Sequence, residues 1–206
     1  MGSSERKERQ KEELRRNILE ASLEIYARDG FEGLSIRKIA EKIDYSPAAI
    51  YLYFKDKDAL LCGLQEEGFR IFNARKAPIL AAEMPAIDRL DALGEDYIRF
   101  AFEHPEYFEL MFVLRSPMRA LGAVEEWTEG IKAYETLRDV VARCMDEGSL
   151  PREAPDVAAL AYWGAVHGIA SLALRERIFW LETENATPTL LNAKNYLRKI
   201  LDYRND

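Results

Sequence analysis

Apolar side chains recur along this chain at the three- and four-residue intervals that place them on one face of a helix. No stretch shows the sustained alternation of apolar and polar residues that half-buried strands show. We therefore predict an all-α protein. The first two apolar faces consist of Leu14, Ile18, Ala21 and Ile25, and of Ile36, Ile39, Ala40 and Ile43.

Residues typical of helix ends divide the N-terminal quarter into four helices. Gly30 suits the position just past the end of the first helix, where the backbone takes a positive φ. Ser35 is placed to cap the second helix, and Ser46 followed by Pro47 predicts a short third helix reaching about residue 54. Asp56 is placed to cap the fourth.

Six prolines of the rest of the chain lie near predicted helix boundaries. They are Pro85, Pro105, Pro117, Pro151, Pro155 and Pro188. The domain boundary is expected within or just after the fourth helix, giving an N-terminal three-helix head of residues 1–62 and a larger helical domain of residues 63–206. Gly148 is expected to close the longest helix. The helices predicted beyond the fourth cover residues 86–103, 105–115, 120–147, 155–180 and 187–203.

The net charge of −7 is unevenly distributed along the chain. Lys and Arg outnumber Asp and Glu by one in residues 1–55, whereas the remainder carries the whole negative excess. A small basic footprint on an acidic body still binds phosphates locally, because salt screens distant charges. The charge pattern therefore permits nucleic-acid binding by the N-terminal head.

Several classes of protein and site are disfavoured by composition. Cys62 and Cys144 are far apart and show no metal-ligand spacing, so we expect two buried, reduced thiols and no metal site or cofactor. The N-terminal residues lack the apolar region of a secretion signal, and we expect no membrane-spanning segment and no membrane partner. These observations favour a cytoplasmic protein.

Residues 35–61, SIRKIAEKIDYSPAAIYLYFKDKDALL, contain two short helices separated by a turn around Asp44 and Tyr45. This is the pattern of a helix-turn-helix, whose second helix enters the major groove of DNA. In that helix Ala49, Ile50 and Phe54 can pack inward. The residues left on or near the exposed side are Pro47, Ala48, Tyr51 and Tyr53, flanked by the cations Arg37, Lys55 and Lys57.

This stretch resembles the signature of the tetracycline-repressor (TetR) family over roughly residues 12–62. The matching elements are Ile39-Ala40, the Ser46 cap, and the block from Ile50 to Leu61. The family commonly has Gly where this chain has Asp44, a residue that tolerates the left-handed conformation. The resemblance implies phosphate contacts for Ser35, Tyr45, Tyr53 and Lys57 and base contacts for Arg37, Pro47, Ala48 and Tyr51; Ser46 and Lys55 complete the predicted DNA-binding set.

Structural explanations compete with some of these assignments. A tyrosine at helical spacing, such as Tyr51 or Tyr53, can serve packing alone. Residues 5–16 alternate in charge, which favours a solvated helix face over a basic DNA-binding arm.

The second half of the chain shows shorter matches. The string HPEYFELMF, starting at His104, resembles the start of a central helix in many regulators of this family. Trp163-x-x-x-His167-Gly168 resembles the Trp-His-Gly signature of one subclass of C-terminal domain. The resemblance implies a helical domain that binds an effector and dimerises.

Small residues form a stripe in the helix predicted at 155–180, at Ala161, Gly164, Gly168 and Ser171. Glycine within a helix costs about 1 kcal/mol relative to alanine, so such a stripe indicates that another backbone approaches closely. The resemblance implies a homodimer interface built from the last two helices. The alternative is helix packing within one subunit.

Aromatic and methionine residues are dense in the middle of the chain. Most are expected to form the core, but the family often has an inducer cavity among these helices, which implies a small apolar or aromatic effector. His167 is a candidate polar contact, although a lone histidine on an apolar helix is more often a hydrogen-bonded core residue. The candidate lining residues are Phe100, Phe108, Met111, Phe112, Trp127, Tyr134, Trp163 and His167.

The leading hypothesis is therefore a homodimeric repressor that binds double-stranded operator DNA and is released by a small molecule. One alternative is a DNA-binding regulator with a filled core that is controlled by a protein partner. A small helical enzyme is a further alternative, but the two histidines, His104 and His167, offer no metal pair or catalytic triad, and the chain has no glycine-rich phosphate loop.

Overall fold

The regular elements of the described residues are all helices in the computed structural model, which describes residues 3–115, 127–178, 180 and 186–202. The helices are α1 (Ser3–Gly33), α2 (Ile36–Lys42), α3 (Pro47–Tyr51), α4 (Lys57–Ala81), α5 (Ala86–Glu103), α6 (Pro105–Phe112), α7 (Thr128–Asp146), α8 (Pro155–Leu174) and α9 (Ala186–Asp202). The predicted all-α class is confirmed, whereas the predicted start of the 120–147 helix lies outside the described residues.

The chain divides into two compact units, Met1–Gly68 with Glu106–Trp127, and Phe69–Pro105 with Thr128–Asp206. In the first unit, the apolar face of α1 packs against the inward faces of α2, α3 and the start of α4. Leu110 of α6 belongs to the same core, and Gln65 donates to the carbonyls of Leu110 and Met111, both at 3.3 Å. The first unit therefore combines the N-terminal helices with the α6 segment.

The predicted turn and capping residues adopt the expected conformations. Gly30 breaks α1 with a φ of 70°, and Asp44 between α2 and α3 has a φ of 56°. Ser35 Oγ accepts a hydrogen bond from the amide of Lys38, and Asp56 Oδ1 accepts one from Ala59 at 2.7 Å. Gly148 follows α7 with a φ of 75°. These local features of the sequence predicted the backbone correctly.

Three helix lengths differ from the prediction. The third helix ends at Tyr51, because the amides of Tyr53 and Phe54 both donate to the carbonyl of Ile50 in a tight closing turn. The sixth ends at Phe112 and not at residue 115. The fourth, for which no end was predicted, continues to Ala81 through Pro78. The eighth ends at Leu174, where Glu176 takes a φ of 54°.

In the second unit, α5 packs against α7, α8 and α9. Gly94 of α5 makes room for Tyr162 of α8: a Cβ at Gly94 would lie within van der Waals overlap of the Tyr162 hydroxyl. That hydroxyl donates to the Leu90 carbonyl at 2.9 Å. The buried Lys194 of α9 donates to the carbonyl of Asp91 at 3.1 Å. Contacts between distant segments thus define this unit.

Helix α8 corrects one expectation from the sequence. It is long and apolar enough to cross a membrane by length and composition, yet only 17% of its most apolar window is buried inside the chain. Apolar residues lie on its buried side and also on its exposed side, where they include Val157, Leu160 and Leu172. The length and apolar composition of α8 were therefore missed from the sequence, while the expected absence of a membrane partner stays a prediction.

Neither cysteine forms a disulfide. Cys144 is buried in the apolar core of the second unit, as expected, and burial raises the pKa of its thiol to about 11. Cys62 is only half-buried, so the expectation of full burial was wrong for this residue.

Candidate nucleic-acid interface

Helix α3 is held by its inward side chains and by its cap. Ser46 Oγ accepts a hydrogen bond from the Ala49 amide, and Pro47 takes the first helical position. Ile50 and Phe54 are buried in the core of the first unit. Gly63 of α4 makes room for Phe54, since a Cβ there would lie 2.7 Å from its ring. A five-residue helix is thereby fixed on the surface of a larger core.

The outward face of α3 combines small residues with exposed aromatic rings. Pro47 and Ala48 are exposed, as are Tyr45 in the preceding turn and Tyr51, which is 55% exposed. Small side chains let a partner backbone or base edge approach the helix closely, while tyrosine hydroxyls reach outward. These four predicted contact residues therefore share one accessible surface.

Leu52, which follows α3, was missed from the sequence. Its side chain is 84% exposed, an unusual exposure for a large apolar residue beside two tyrosines. The sequence offered a signal, because Leu52 lies between Tyr51 and Tyr53, which were assigned to the contact surface. An exposed leucine on a DNA-reading surface has a thymine methyl group as its apolar counterpart.

The cations of the first unit fall into two groups. Arg37 and Lys55 are exposed, and none of the described residues pairs with either. Lys38, by contrast, forms a 3.0 Å ion pair with Asp29 of α1, and the hydrogen bonds that Arg28 and Lys38 donate hold the pKa of Asp29 well below its usual range. Arg37 and Lys55 are thus two cations near α3 that ion pairs among the described residues leave available to phosphates.

Lys57 and Tyr53 occupy less accessible positions than the other predicted contacts. The Lys57 ammonium donates to the Phe31 carbonyl and stands 3.8 Å from the centre of the Phe31 ring. Tyr53 is half-buried and packs against the core. Ser35, although exposed, uses its hydroxyl to cap α2. Phosphate contacts by these residues remain predictions.

Four of the predicted effector residues lie in the second unit. Phe100 is fully buried, and Tyr134 donates to Asp156 at 2.7 Å. Trp163 Nε1 donates to the Tyr97 hydroxyl at 3.2 Å, and that hydroxyl lies 2.8 Å from His167 Nδ1. Tyr97 was missed from the sequence, because its contact with His167 joins residues 70 positions apart.

Tyr97 links Trp163 and His167 through its hydroxyl group. An indole N–H only donates, so the Tyr97 oxygen accepts from Trp163, and the direction of its contact with Nδ1 of His167 depends on the imidazole tautomer. Burial raises the pKa of Tyr97 and lowers the pKa of His167. Burial therefore favours the uncharged form of both side chains.

The other four predicted effector residues lie in the first unit. Phe108 and Met111 of α6 are buried, and Phe112 and Trp127 are half-buried. The Phe108 and Phe112 rings lie 5.2 Å apart. Their assignment to an effector site remains a prediction.

The small-residue stripe of α8 faces outward at its centre. A Cβ added at Gly164 or Gly168 would meet nothing within 4 Å. Ala161 is exposed and Ser171 is half-buried. Among the described residues, no neighbouring helix packs against these glycines, so close packing within one subunit does not explain them.

Metal chemistry has no support in the part of the chain that the structure describes, where no three His, Cys, Asp or Glu side chains come together as a metal site.

Two family profiles match this chain. Residues 18–62 match the bacterial regulatory proteins of the tetR family, and residues 90–189 match the tetracyclin repressor-like C-terminal domain. The two matches cover most of the helices described above, including α2, α3 and the whole of α8.

Individual relatives and structures are also similar. The HTH-type transcriptional repressor NicS of Pseudomonas putida is 30% identical over 50% of this chain and 48% of NicS, so the matching region spans about half of that relative. The HTH-type transcriptional repressor AcnR of Corynebacterium efficiens is 27% identical over 68% of this chain and 71% of AcnR. A protein of unknown function from Rhodococcus sp. RHA1 superimposes with a TM-score of 0.76 at 28% identity, covering 91% of this chain and 95% of that one.

Proposed function

We propose a function for this chain on the basis of its family, because it belongs to the TetR family of transcriptional regulators. In the proposal it is a homodimeric repressor that binds palindromic operator DNA and is released by a small-molecule inducer. In this proposal residues 1–62 read DNA, and residues 63–206 bind the effector and dimerise. A protein that regulates bacterial transcription works in the cytoplasm, where the DNA lies.

The exposed face of α3 is the observation that carries the proposal. It presents Pro47, Ala48 and Tyr51 to solvent on a helix whose other face is fully engaged in the core. Arg37 and Lys55, which pair with none of the described residues, supply cations for the phosphates on either side. An outward-facing short helix with small residues and flanking cations suits insertion into the major groove.

Selection from a random double-stranded DNA library tests the DNA-binding part. We expect the full chain to enrich a palindrome whose half-sites are about 34–36 Å apart, because the two recognition helices of a dimer meet successive major grooves. Selection with Arg37→Ala or Tyr51→Ala should return a changed half-site. Enrichment of a non-palindromic sequence, or of none, would contradict the proposal.

The outward face of α8 supports the proposed dimer. Val157, Leu160 and Leu172 are exposed there, and Gly164 and Gly168 have open space beyond them. Exposed apolar surface of this kind marks an interaction site, and a second copy of the same helix can approach closely at the glycines.

Sedimentation equilibrium of the wild type and Gly168→Leu tests this interface. We expect a wild-type dimer at micromolar concentration and a weakened dimer in the variant, since overpacking costs about 1–3 kcal/mol and acts twice in a two-fold interface. Ala77→Leu, which adds a leucine at an exposed position of α4, is the matched control. A wild-type monomer would contradict the dimer. A fully dimeric Gly168→Leu variant would place the interface elsewhere, most simply on α9 around Leu191 and the exposed Tyr196.

For the effector we propose a small apolar or aromatic molecule that acts by population shift. In one conformer of the dimer the two recognition helices are wrongly spaced for the operator. A ligand that binds this conformer more tightly than the DNA-binding conformer lowers the affinity for DNA, and the size of the effect is set by the ratio of the two ligand affinities. The buried ring of Phe100 and the hydrogen-bonded group of Trp163, Tyr97 and His167 supply apolar surface with a few oriented polar atoms. This combination is typical of small-molecule sites.

A further inference from the structure

Lys76 of α4 is a cation in the interior of the second unit. Phe69, Phe72 and Ile79 share its helix face at spacings of three and four residues, so Lys76 occupies a position where an apolar side chain is expected. Its residue surface is 6% exposed. A buried ammonium is unfavourable unless a charge or several hydrogen bonds compensate it.

The hydrogen bonds of Lys76 go to neutral acceptors only. Its Nζ donates to Asn73 Oδ1 at 3.2 Å and to the Ala133 carbonyl at 3.4 Å, and it stands 4.0 Å from the centre of the Phe72 ring. Asn73 is fixed in this orientation because its Nδ2 donates to Glu129 at 2.7 Å. An ammonium has three N–H donors. Lys76 therefore keeps donor capacity that the described residues use only in part.

The carboxylates that face Lys76 contact other groups. Asp96 of α5 forms a 2.7 Å ion pair with Arg75 through Oδ1, while its buried Oδ2 has no hydrogen-bond partner among the described residues. Glu129 of α7 accepts from Asn73 and lies 3.7 Å from Lys132. No described carboxylate lies within ion-pair distance of Lys76 itself. Among the described residues Lys76 therefore has no direct counter-ion.

Aromatic rings extend from Lys76 toward His167. Phe72, below the ammonium, lies 5.0 Å from Phe100 and 5.7 Å from Tyr97, measured between ring centres. Tyr97 in turn contacts His167. A cation at one end of a buried aromatic group favours a ligand with an anionic head and an apolar body.

We propose that Lys76 binds the carboxylate of the effector, and that the effector is a small monocarboxylic acid with an apolar or aromatic body. The inference rests on the proposed effector function and names its ligand class. The carboxylate would supply the missing counter-ion, and the Phe72, Phe100 and Tyr97 rings would contact the body.

The protonation of Lys76 gives the proposal a pH signature. Burial lowers the pKa of Lys76 in the free protein to about 7, while Asp96 and Glu129 act in the opposite direction and Lys132 in the same one. A bound carboxylate favours the charged ammonium, so binding takes up a proton above pH 7. Affinity for an acid should therefore fall as pH rises from 7 to 9, by up to about tenfold per pH unit. An uncharged ligand should not show this fall.

Titration calorimetry with pairs of acids and their primary amides tests the inference. The probes are benzoate, 4-phenylbutyrate, octanoate and decanoate, each compared with its amide at pH 6.5, 7.5 and 9. We expect at least one acid to bind the full chain at least about tenfold more tightly than its amide at pH 6.5, with the preference shrinking at pH 9. Lys76→Met should abolish the preference, whereas Lys199→Met, at an exposed lysine of α9, should keep it.

The outcomes separate this inference from the proposed function. Amides that bind as well as their acids, acid affinities that stay flat from pH 6.5 to 9, or the absence of binding by any acid would each overturn the role of Lys76. The wild-type pH series decides the question even if Lys76→Met does not fold. Calorimetry uses protein without DNA, so a failure of operator binding would count against the proposed repressor and leave the acid–amide comparison valid.

Discussion

The two units of this protein place their charges in opposite ways. In the first unit the buried polar side chains of the described residues are neutral, Ser22 and Gln65, and the cations lie on or near the surface. In the second unit Lys76, Arg89 and Lys194 are all buried. Surface cations suit a function directed at a polyanion outside the protein. Buried cations suit recognition or specificity inside it, because an unpaired charge there discriminates strongly between occupants.

The largest expected effect tests the outward-facing function of the first unit. Ala48→Glu places a carboxylate on the exposed face of α3, where it would lie near DNA phosphates. We expect operator affinity to fall by more than about a hundredfold, since like charges placed together at an interface cost several kcal/mol. Fluorescence anisotropy with the selected operator measures this, and circular dichroism checks the fold.

Ala77→Glu is the control for that variant, because it makes the same change at an exposed position of α4. It should retain wild-type affinity. Equal loss in both variants would show that added negative charge, wherever it lies, weakens binding, and α3 would then have no special role.

A smaller effect is expected from the buried charge of the second unit. The folded-state pKa of Lys76, about 7, is below its ordinary value of 10.5, so the unfolded chain binds more protons between these pH values. The burial penalty is therefore fully present below pH 7 and is relieved as pH rises toward 10.5. The stability of Lys76→Met relative to wild type should fall by about 2–3 kcal/mol between pH 7 and pH 10.

Urea denaturation at pH 7, 8.5 and 10 measures this difference, with the exposed Lys199→Met as control. The control should show a flat difference. A flat difference for Lys76→Met as well would mean that Lys76 titrates normally, and the contrast between the two units would lose its main support.

Gly94→Ala tests how tightly the second unit is packed. The new methyl group would overlap the Tyr162 hydroxyl, which burial and the bond to Leu90 hold in place. We expect a loss of about 1–2 kcal/mol in the free energy of unfolding. Because the overlap involves the hydroxyl oxygen, Gly94→Ala in a Tyr162→Phe background should cost much less, and a double-mutant cycle measures the coupling. Additive effects would contradict the packing described here.

The smallest effects distinguish two lysines of the first unit. Lys55 is exposed and unpaired among the described residues, so Lys55→Ala should weaken binding to all sequences a few-fold and lower the salt slope by about 1. Lys57 donates a hydrogen bond to the Phe31 carbonyl, so Lys57→Ala should lower the stability of the first unit as well as the affinity for DNA. An equal change in salt slope with unchanged stability would show that Lys57 leaves Phe31 to bind phosphate.

The two units also differ in how far their sequences predicted them. The head depends on local chemistry: a serine cap, Gly30 and Asp44 with positive φ, and apolar spacing that buries Ile50 and Phe54. Such features act within a few residues of each other. Even there, the exposure of Leu52 and the internal contact of Lys57 were not predicted, because both depend on how α3 and α4 end and begin.

In the second unit the decisive contacts join residues that are distant along the chain. Lys194 bonds to Asp91 across 103 positions, and Tyr97 bonds to His167 across 70. The sequence showed His167 and Trp163 but gave no means of pairing them with Tyr97. Lys76 did leave a trace, since it interrupts an apolar stripe at helical spacing, yet its neutral partners come from the helix itself and from α7.

The apolar composition of α8 has a consequence before the protein has folded. Cellular factors that direct nascent chains to membranes respond to long apolar segments, and this helix meets that description. Helices α5 and α7 precede α8 in the chain, so they are synthesised in time to cover its inner face. In the proposed dimer the outer face of α8 is buried only when a second chain binds, and the rate of that step rises with protein concentration. If two copies are made on neighbouring ribosomes of one messenger, their local concentration is high and the proposed dimer would form sooner.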